Sequence, residues 1–545
     1  MERAVKIGVV TTVEGSRVLG VTRAPEGGAQ AATAPEYGAL VKMRCPDSLV
    51  YGLVSKVWMN LPQVTMMLEV ELLGEIVGRP GSNAGRFQRG VSVHPRIGAE
   101  ILAADAEDVA SVYANTRGAD VRIGTLHTDP SYPVHVHVDS LLGKHFAILG
   151  TTGSGKSCAT ALILRSVLDS FPNGHVVMLD PHNEYARAFA ERAEVLDPTT
   201  VRLPYWMLNF AETASIFCSQ DVATREYELA ILKEAILKAR REFAASHGGR
   251  ANVGHITVDT PSPYLLADVL ATVEKGLGRL EKVGGALPYL RLQSRIEAMR
   301  ADDRFGFMFS RDFVDDTLAE IVSRLIRVPV DGKPITIIDL SGVPSEIVDV
   351  LVSVMCRMIF DFALWSTEHH AAPTLLVCEE AHRYVPRDER LGFEPTRRAI
   401  TRIAMEGRKY GVSLCLVSNR PSELSPTMLA QCNTIFALRM SNQQDQEFVR
   451  SVLPEGTGGL LAALPALRPQ EAIAIGDGVT IPLRLRFDDL DDAHRPRSLT
   501  APFAQAWKRP ALGQDFVRDT ITRWRHQRRA GANGNAGAGR ASFLR

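Results

Sequence analysis

Up to about residue 95, short apolar and β-branched runs alternate with Gly, Pro and polar clusters. The runs are VKIGVV (5–10), RVLGVT (17–22), ALVKMR (39–44), VYGLVSKV (50–57) and TMMLEVELLGEIV (65–77). Short strands at such spacing predict a small barrel or sandwich. Residues 98–118 read as a helical link. From about 135 the texture changes. HFAILG (145–150) leads into a Gly-rich loop, a helical pattern follows (158–170), and HVVMLD (175–180) reads as the next buried strand. This strand–loop–helix–strand rhythm predicts a parallel α/β sheet. A long, charged, helix-like stretch fills 221–325. Apolar strands then return as ITIIDL (335–340), TLLVCEE (374–380), VSLCLVS (412–418) and TIFALRM (434–440).

Composition narrows the classes. The 545 residues carry Lys+Arg 62 against Asp+Glu 62, which excludes a wholly basic nucleic-acid coat. With 45% hydrophobic and 23% charged residues, an acidic disordered chain is excluded too. Any polyanion must meet a local basic surface. Cys45, Cys158, Cys218, Cys356, Cys378, Cys415 and Cys432 include no CxxC pair, so zinc-ribbon and thioredoxin-type sites are not expected. Several lie in apolar runs and fit a reduced, cytoplasmic setting. Glu2, Arg3 and Lys6 interrupt the start, so no signal peptide is read. The most apolar long stretch, 347–365, contains Asp349, Arg357 and Asp361 and reads as a buried helix, not a membrane span. Near the end, 512–529 predicts a helix with Val517, Ile521 and Trp524 on one face, and 530–545 reads as disordered. From Phe516 onward there are seven Arg and one Asp, a local charge of +6. Both a solvated helix and a nucleic-acid contact fit that run.

Gly150-Thr151-Thr152-Gly153-Ser154-Gly155-Lys156-Ser157, followed by Cys158, matches GxxxxGK[ST] between a buried strand and a helix. Glycines let backbone N–H groups face phosphates, Lys156 reaches the β/γ-phosphates, and the Ser157 hydroxyl ligates Mg²⁺. The strand 374–378 ends in Glu379 and Glu380. The first carboxylate is expected to hold the Mg²⁺ water shell and the second to polarise the attacking water. Acids opening a helix would also occur there for dipole reasons alone. Residues 396–411 form a basic helical pattern ending at Gly411, with Arg408 and Lys409 in its last turn. Helix-dipole complementarity and transition-state stabilisation from another subunit account equally well for Arg408.

LLGKHFAILGTTGSGKS (141–157), DPHNEY (180–185), LPYWMLNF (203–210), VDTPSPYLLADVL (258–270), SRIEAMRADDRFGFMF (294–309), LLVCEEAHRYVP (375–386), IAMEGRKYGVSLCLVSNRPSELSP (403–426) and QCNTIFALR (431–439) together resemble the HerA family, of the HerA/FtsK superfamily of hexameric DNA-translocating ATPases. The resemblance implies a RecA-like P-loop core with a helical insertion and a small N-terminal HAS-type β-barrel. It divides the chain into a barrel (1–95), a linker (96–134), two core parts (135–220 and 326–495) around the insertion (221–325), a C-terminal arm (496–529) and a tail (530–545). It implies ATP and Mg²⁺ as cofactors and a homo-hexameric ring on double-stranded DNA. Glu380 becomes the catalytic glutamate, Glu379 takes the usual Asp position, and Arg408 is the finger candidate. Asp180 and Glu184 fall in the family's D-x-x-G-E-Y segment. Asn183 replaces its Gly, and Asn tolerates the left-handed conformation better than most residues. Asn419 replaces the Gln of the SQRPS sensor, with shorter reach.

Rival readings are weaker. An ABC-type signature fails because Val343-Pro344 follow Leu340-Ser341-Gly342. Membrane-bound relatives lack support without a span. Two roles stay open. One is a DNA translocase or helicase serving an effector in end processing or antiphage defence. The other is an ATP-regulated scaffold that activates that effector, a NurA-like nuclease or a sirtuin-like or other nuclease, docked at the barrel. Arg383, Arg387 and Arg390 are read either as pore-facing cations or as a solvated loop.

Overall fold

The computed structural model describes residues 5–23, 36–60, 65–78, 85–113, 118–197, 200, 202–219, 221–247, 254–279, 285–309, 315–343, 345–366, 371–453, 458–497, 503–508 and 513–525. The chain forms two units, Met1–Arg497 and Ser498–Arg545.

The first sheet contains β1 (Lys6–Glu14), β2 (Arg17–Arg23), β3 (Leu40–Arg44), β4 (Ser48–Asn60), β5 (Thr65–Val77), β6 (Phe87–Arg89) and β7 (Glu100–Ala103). Its order is β2-β1-β7-β3-β4-β5-β6, and an extra β2–β5 pairing closes it into a barrel with β6 outside the ring. Closure removes the free edges that short apolar strands would otherwise expose. Val10, Val18, Val41, Met43, Val54, Leu68 and Ile101 fill the interior.

The second sheet contains β8 (Asp120–Leu126), β9 (Pro133–His137), β10 (His145–Leu149), β11 (His175–Asp180), β12 (Ala193–Leu196), β13 (Ile335–Asp339), β14 (Thr374–Cys378), β15 (Val412–Ser418), β16 (Cys432–Leu438), β17 (Glu471–Gly476) and β18 (Leu483–Phe487). Its order is β12-β13-β11-β14-β15-β10-β16-β17-β18-β8-β9. Pairings from β12 to β16 are parallel. Those from β16 to β9 are antiparallel. Residues expected to link the barrel to the core therefore do more than link. β7 belongs to the barrel wall, and β8 and β9 extend the large sheet. Their burial alternates only in part, as in iBeBBiB for β8, which blurs a strand signal.

The parallel strands are apolar throughout because both faces are covered. Ala147, Leu149, Val177, Leu179, Leu376 and Leu414 join one core with the helix Ser345–Trp365. Phe146, Ile148, Val176, Met178, Leu375 and Cys415 join the other with the helix Lys156–Ser170. Among the described residues no helix is long and apolar enough to cross a membrane.

Between β12 and β13 run the helices Val222–His247, Leu266–Leu277, Leu287–Ala301, Gly306–Phe309 and Leu318–Ile326. Arg240, almost fully buried, ties this region together. Its guanidinium donates to the carbonyls of Thr260, Ser262, Trp206 and Leu208 and lies 4.9 Å over the Tyr264 ring. LPYWMLNF and VDTPSPYLLADVL thus contain the carbonyls that satisfy one buried cation.

Hydrogen bonds from Arg89 and Tyr37 fasten the barrel to the rest of the first unit. Arg89 donates to the carbonyls of Gly476, Val479 and Thr480. Tyr37 donates to the Gly459 carbonyl, and the Gly459 N–H approaches Glu71 at 3.4 Å. In the second unit the helix Gln514–Arg525 exposes Val517, Ile521 and Trp524. The tail expected to be disordered lies outside the described residues.

Candidate nucleotide-hydrolysis site

β10, β11, β13, β14, β15 and β16 end side by side, so the residues following them gather at one carboxyl edge, where open α/β sheets take ligands. After β10 the chain curls tightly. A Cβ on Gly150 would lie 2.8 Å from Ser154 Oγ and 2.9 Å from Leu438 Cβ. Gly153 and Gly155 take φ of 77° and 102°, the left-handed region that glycine enters freely. The Thr151 amide is fixed to the Arg439 carbonyl at 3.0 Å. The loop then enters the helix at Lys156, so helix N–H groups face the space above it.

Lys156 is 7% exposed, and its Nζ donates to Thr151 O at 3.2 Å. Burial pulls its ammonium below the ordinary lysine range, opposed by the charges of Glu379, Glu380 and Glu184. Ser157 Oγ donates to Glu184 Oε2 at 2.9 Å. Asp180, fully buried at the end of β11, accepts from the amides of His182 at 3.2 Å and Tyr185 at 3.0 Å. It therefore shapes the loop that carries Glu184. Burial raises its carboxyl despite those bonds. In that loop Asn183 adopts φ 53° and its Nδ2 donates to Asp339 Oδ2 at 2.8 Å. The side chain at the Gly position of the family pattern thus finds a partner on the neighbouring strand.

Glu379 is buried, and burial followed by the nearby charge of Glu380 pushes its carboxyl up to about 8, against the hydrogen bond from Tyr185 and the charge of Lys156. Glu380 turns the chain at φ 53°. Its Oε1 accepts from Asn419 Nδ2 at 2.9 Å and lies 3.8 Å from His182 Nε2. Its Oε2 is 3.5 Å from His382 Nδ1, which also meets Ser418 Oγ at 3.3 Å. Burial holds His382 below its ordinary range, against the pull of Glu380.

These groups suit a nucleoside triphosphate with Mg²⁺. Ser154 Oγ, Glu380 Oε2 and Asn419 Oδ1 are buried without a hydrogen-bond partner among the described residues, so polar capacity remains for phosphate and water. Among the described residues no three His, Cys, Asp or Glu side chains are arranged to hold a metal unaided. Mg²⁺ typically needs only one or two protein groups beside phosphate oxygens and water, which Ser157 and Glu379 can supply.

Arg408 lies elsewhere. It is exposed in the turn Gly407–Tyr410 just before β15, and its charge acts on His145 at the start of β10. A five-residue strand, about 16 Å, separates that edge from the phosphate loop of the same chain. The residues not anticipated at the site are Tyr185, His182 and His382. Only their adjacency to acidic motif residues could have pointed to them.

The loop, its lysine and the paired acids on a parallel sheet define a P-loop ATPase. Residues 121–359 match the family described as helicase HerA, central domain. A probable helicase of Methanocaldococcus jannaschii is 25% identical over 531 residues, covering 92% of this chain and 95% of that one. The DNA double-strand break repair helicase HerA of Pyrococcus furiosus is 26% identical over 428 residues, 72% of this chain and 73% of that one. Among solved structures, VirB4 of Thermoanaerobacter pseudethanolicus aligns with TM-score 0.46 at 15% identity, over 70% of this chain and 99% of that one. The central part of the chain is thus similar to the central domain of HerA helicases, and the similarity to helicases of this kind extends over most of its length.

Proposed function

We propose that this chain is an ATP-driven motor on double-stranded DNA, that it acts as a homo-hexameric ring, and that it serves a separate effector protein. One observation carries the reading. Lys156, Ser157, Glu379 and Glu380 meet at one sheet edge while exposed Arg408 lies at the opposite edge. A complete site then needs a neighbour's arginine, and a closed ring provides one at every interface.

In this reading the phosphate-loop amides and Lys156 bind the β/γ-phosphates. Ser157 and Glu379 would hold Mg²⁺, which would supply positive charge beside the phosphates. Glu380 orients water and accepts its proton. Asn419 reports on the γ-phosphate side, and Asp180 fixes the loop opposite. Arg383 and Arg387 are exposed and suit phosphate-backbone contact, whereas Arg390 is paired with Asp388 at 2.8 Å. The relatives' names support DNA end processing. An effector such as a NurA-like nuclease or a sirtuin-like or other nuclease, in repair or antiphage defence, remains part of the proposal. The scaffold reading has its own support in Arg89. It joins the barrel to the turn containing Asp477, whose carboxylate pairs with Lys144 at 2.5 Å immediately before β10.

The test is ATP turnover with and without duplex DNA. Wild type is expected to need Mg²⁺ and to be stimulated by DNA, and Lys156→Ala to be inactive. Equal turnover by the two proteins overturns the reading.

A further inference from the structure

Glu380 is held from the far end of β15. Asn419 donates to its Oε1 at 2.9 Å, and His382 Nδ1, which meets Ser418 Oγ at 3.3 Å, lies 3.5 Å from its Oε2. Its backbone sits at φ 53°, a conformation a glutamate keeps only when its surroundings impose it. The Asn419 amide proton occupies one of the acceptor sites of Oε1. An oxygen engaged by an amide is less free to take a proton from water. The contact therefore restrains the group that hydrolysis requires.

The same two segments continue outward as a pair. Arg387 N donates to Glu423 O at 2.7 Å and Ser425 N to Val385 O at 3.0 Å, with an antiparallel bridge between Pro386 and Leu424. The chain leaving Glu380 and the chain leaving Asn419 thus form a short ladder. Arg383, Arg387 and Arg420, on or beside these two segments, are exposed. Arg420 is occupied by Glu423 at 3.0 Å, an exposed and weak pair that a phosphate can replace. Ser422 anchors the ladder to Asp445 through its amide at 3.0 Å and its hydroxyl at 2.7 Å.

We propose that Asn419 is a positioning residue that latches Glu380, and that nucleic-acid phosphates at Arg383, Arg387 and Arg420 release the latch by shifting this ladder. The proposal rests on the DNA-motor reading and adds its regulation: hydrolysis is restrained until DNA is present.

The experiment measures kcat and KM for ATP, with and without duplex DNA, in the full-length protein. The variants are Asn419→Ala, Asn419→Ser and Asn419→Gln, with thermal melts to establish folding. The DNA-free kcat of Asn419→Ala is expected to rise about 3–10-fold with KM changed less than twofold. Its stimulation by DNA is expected to fall toward one. Asn419→Ser, too short to reach Glu380, should behave alike and carries the test if the alanine variant does not fold. Asn419→Gln keeps the donor and should keep most of the stimulation. Equal loss of DNA-free and DNA-stimulated rates in the alanine and serine variants overturns the latch, because Asn419 then serves the chemistry itself. Unchanged rates in both also overturn it. A wild type that hydrolyses ATP without DNA stimulation overturns the latch and leaves the ATPase assignment standing. A wild type no faster than Lys156→Ala overturns the underlying reading instead.

Discussion

The Tyr185 hydroxyl donates a 2.7 Å hydrogen bond to Glu379 Oε2, and both side chains are buried. Burial and surrounding negative charge drive the Tyr185 phenol well above its ordinary range, so it remains a donor. Its hydrogen bond counters the burial that raises Glu379 to about 8. Removing the bond raises that carboxyl further, and Mg²⁺ must then compete with a more tightly held proton. Tyr185→Phe is expected to raise the Mg²⁺ concentration for half-maximal ATPase activity about 3–10-fold at pH 7. The deficit should narrow at pH 9, where a larger fraction of Glu379 is ionised in both proteins. A Mg²⁺ titration at the two pH values checks this, and a deficit independent of pH counts against it.

Binding and hydrolysis should separate between Lys156 and Glu380. Lys156 is the buried cation among Glu184, Glu379 and Glu380, so Lys156→Ala loses the phosphate contact and leaves those acids uncompensated. Nucleotide binding and turnover should both be lost. Glu380→Gln changes only the proton acceptor. It should keep binding within a few-fold while turnover drops about 10²–10⁴-fold, the usual scale of general-base catalysis. Equilibrium binding of a fluorescent ATP analogue, measured beside phosphate release, distinguishes the two.

Arg408 cannot reach the phosphate loop of its own chain across the length of β10. In the proposed ring, mixing Arg408→Ala with Glu380→Gln subunits should restore part of the activity, because some interfaces then pair an intact arginine with an intact glutamate. Native mass measurement establishes that mixed rings form. Absence of rescue in such rings at every ratio removes Arg408 from a role in trans.

What the sequence disclosed follows from how locally each feature is encoded. β11 and β15 coincide with the apolar runs 175–180 and 412–418, and β5 with 65–77. A strand buried on both faces needs a continuous apolar run, and such a run is visible. β8, β9, β17 and β18 have mixed or short patterns and pair antiparallel, so no long apolar run marks them. The phosphate loop is contiguous, so its geometry can be read from eight letters. The Tyr185–Glu379 bond spans 194 positions and the Asn419–Glu380 bond 39, and no local pattern encodes either. Asn183 was legible for another reason. A left-handed turn tolerates Asn, and it does adopt φ 53°.

The junction between barrel and motor carries its own titration. Glu71 on β5 is 3% exposed, and its Oε1 approaches Gly459 N at 3.4 Å. Gly459 is packed so closely that a Cβ there would lie 2.3 Å from Ser55 Cβ on β4. Burial, opposed by the Gly459 amide and Arg17, raises the Glu71 carboxyl to about 7. Between the ordinary carboxylate range and pH 7 the folded chain therefore keeps a proton that the unfolded chain has released. Stability from this group is full in acid and is lost as pH rises through about 7. Glu71→Gln fills the same space and does not titrate. Relative to wild type it should gain about 1–3 kcal/mol between pH 5 and pH 8. Urea unfolding at the two pH values measures that difference. Limited proteolysis at pH 8 should show the barrel–motor junction cut more slowly in the glutamine variant. An unchanged stability difference across this range would mean that Glu71 is already ionised in the folded protein, stabilised by Arg17 and the Gly459 amide.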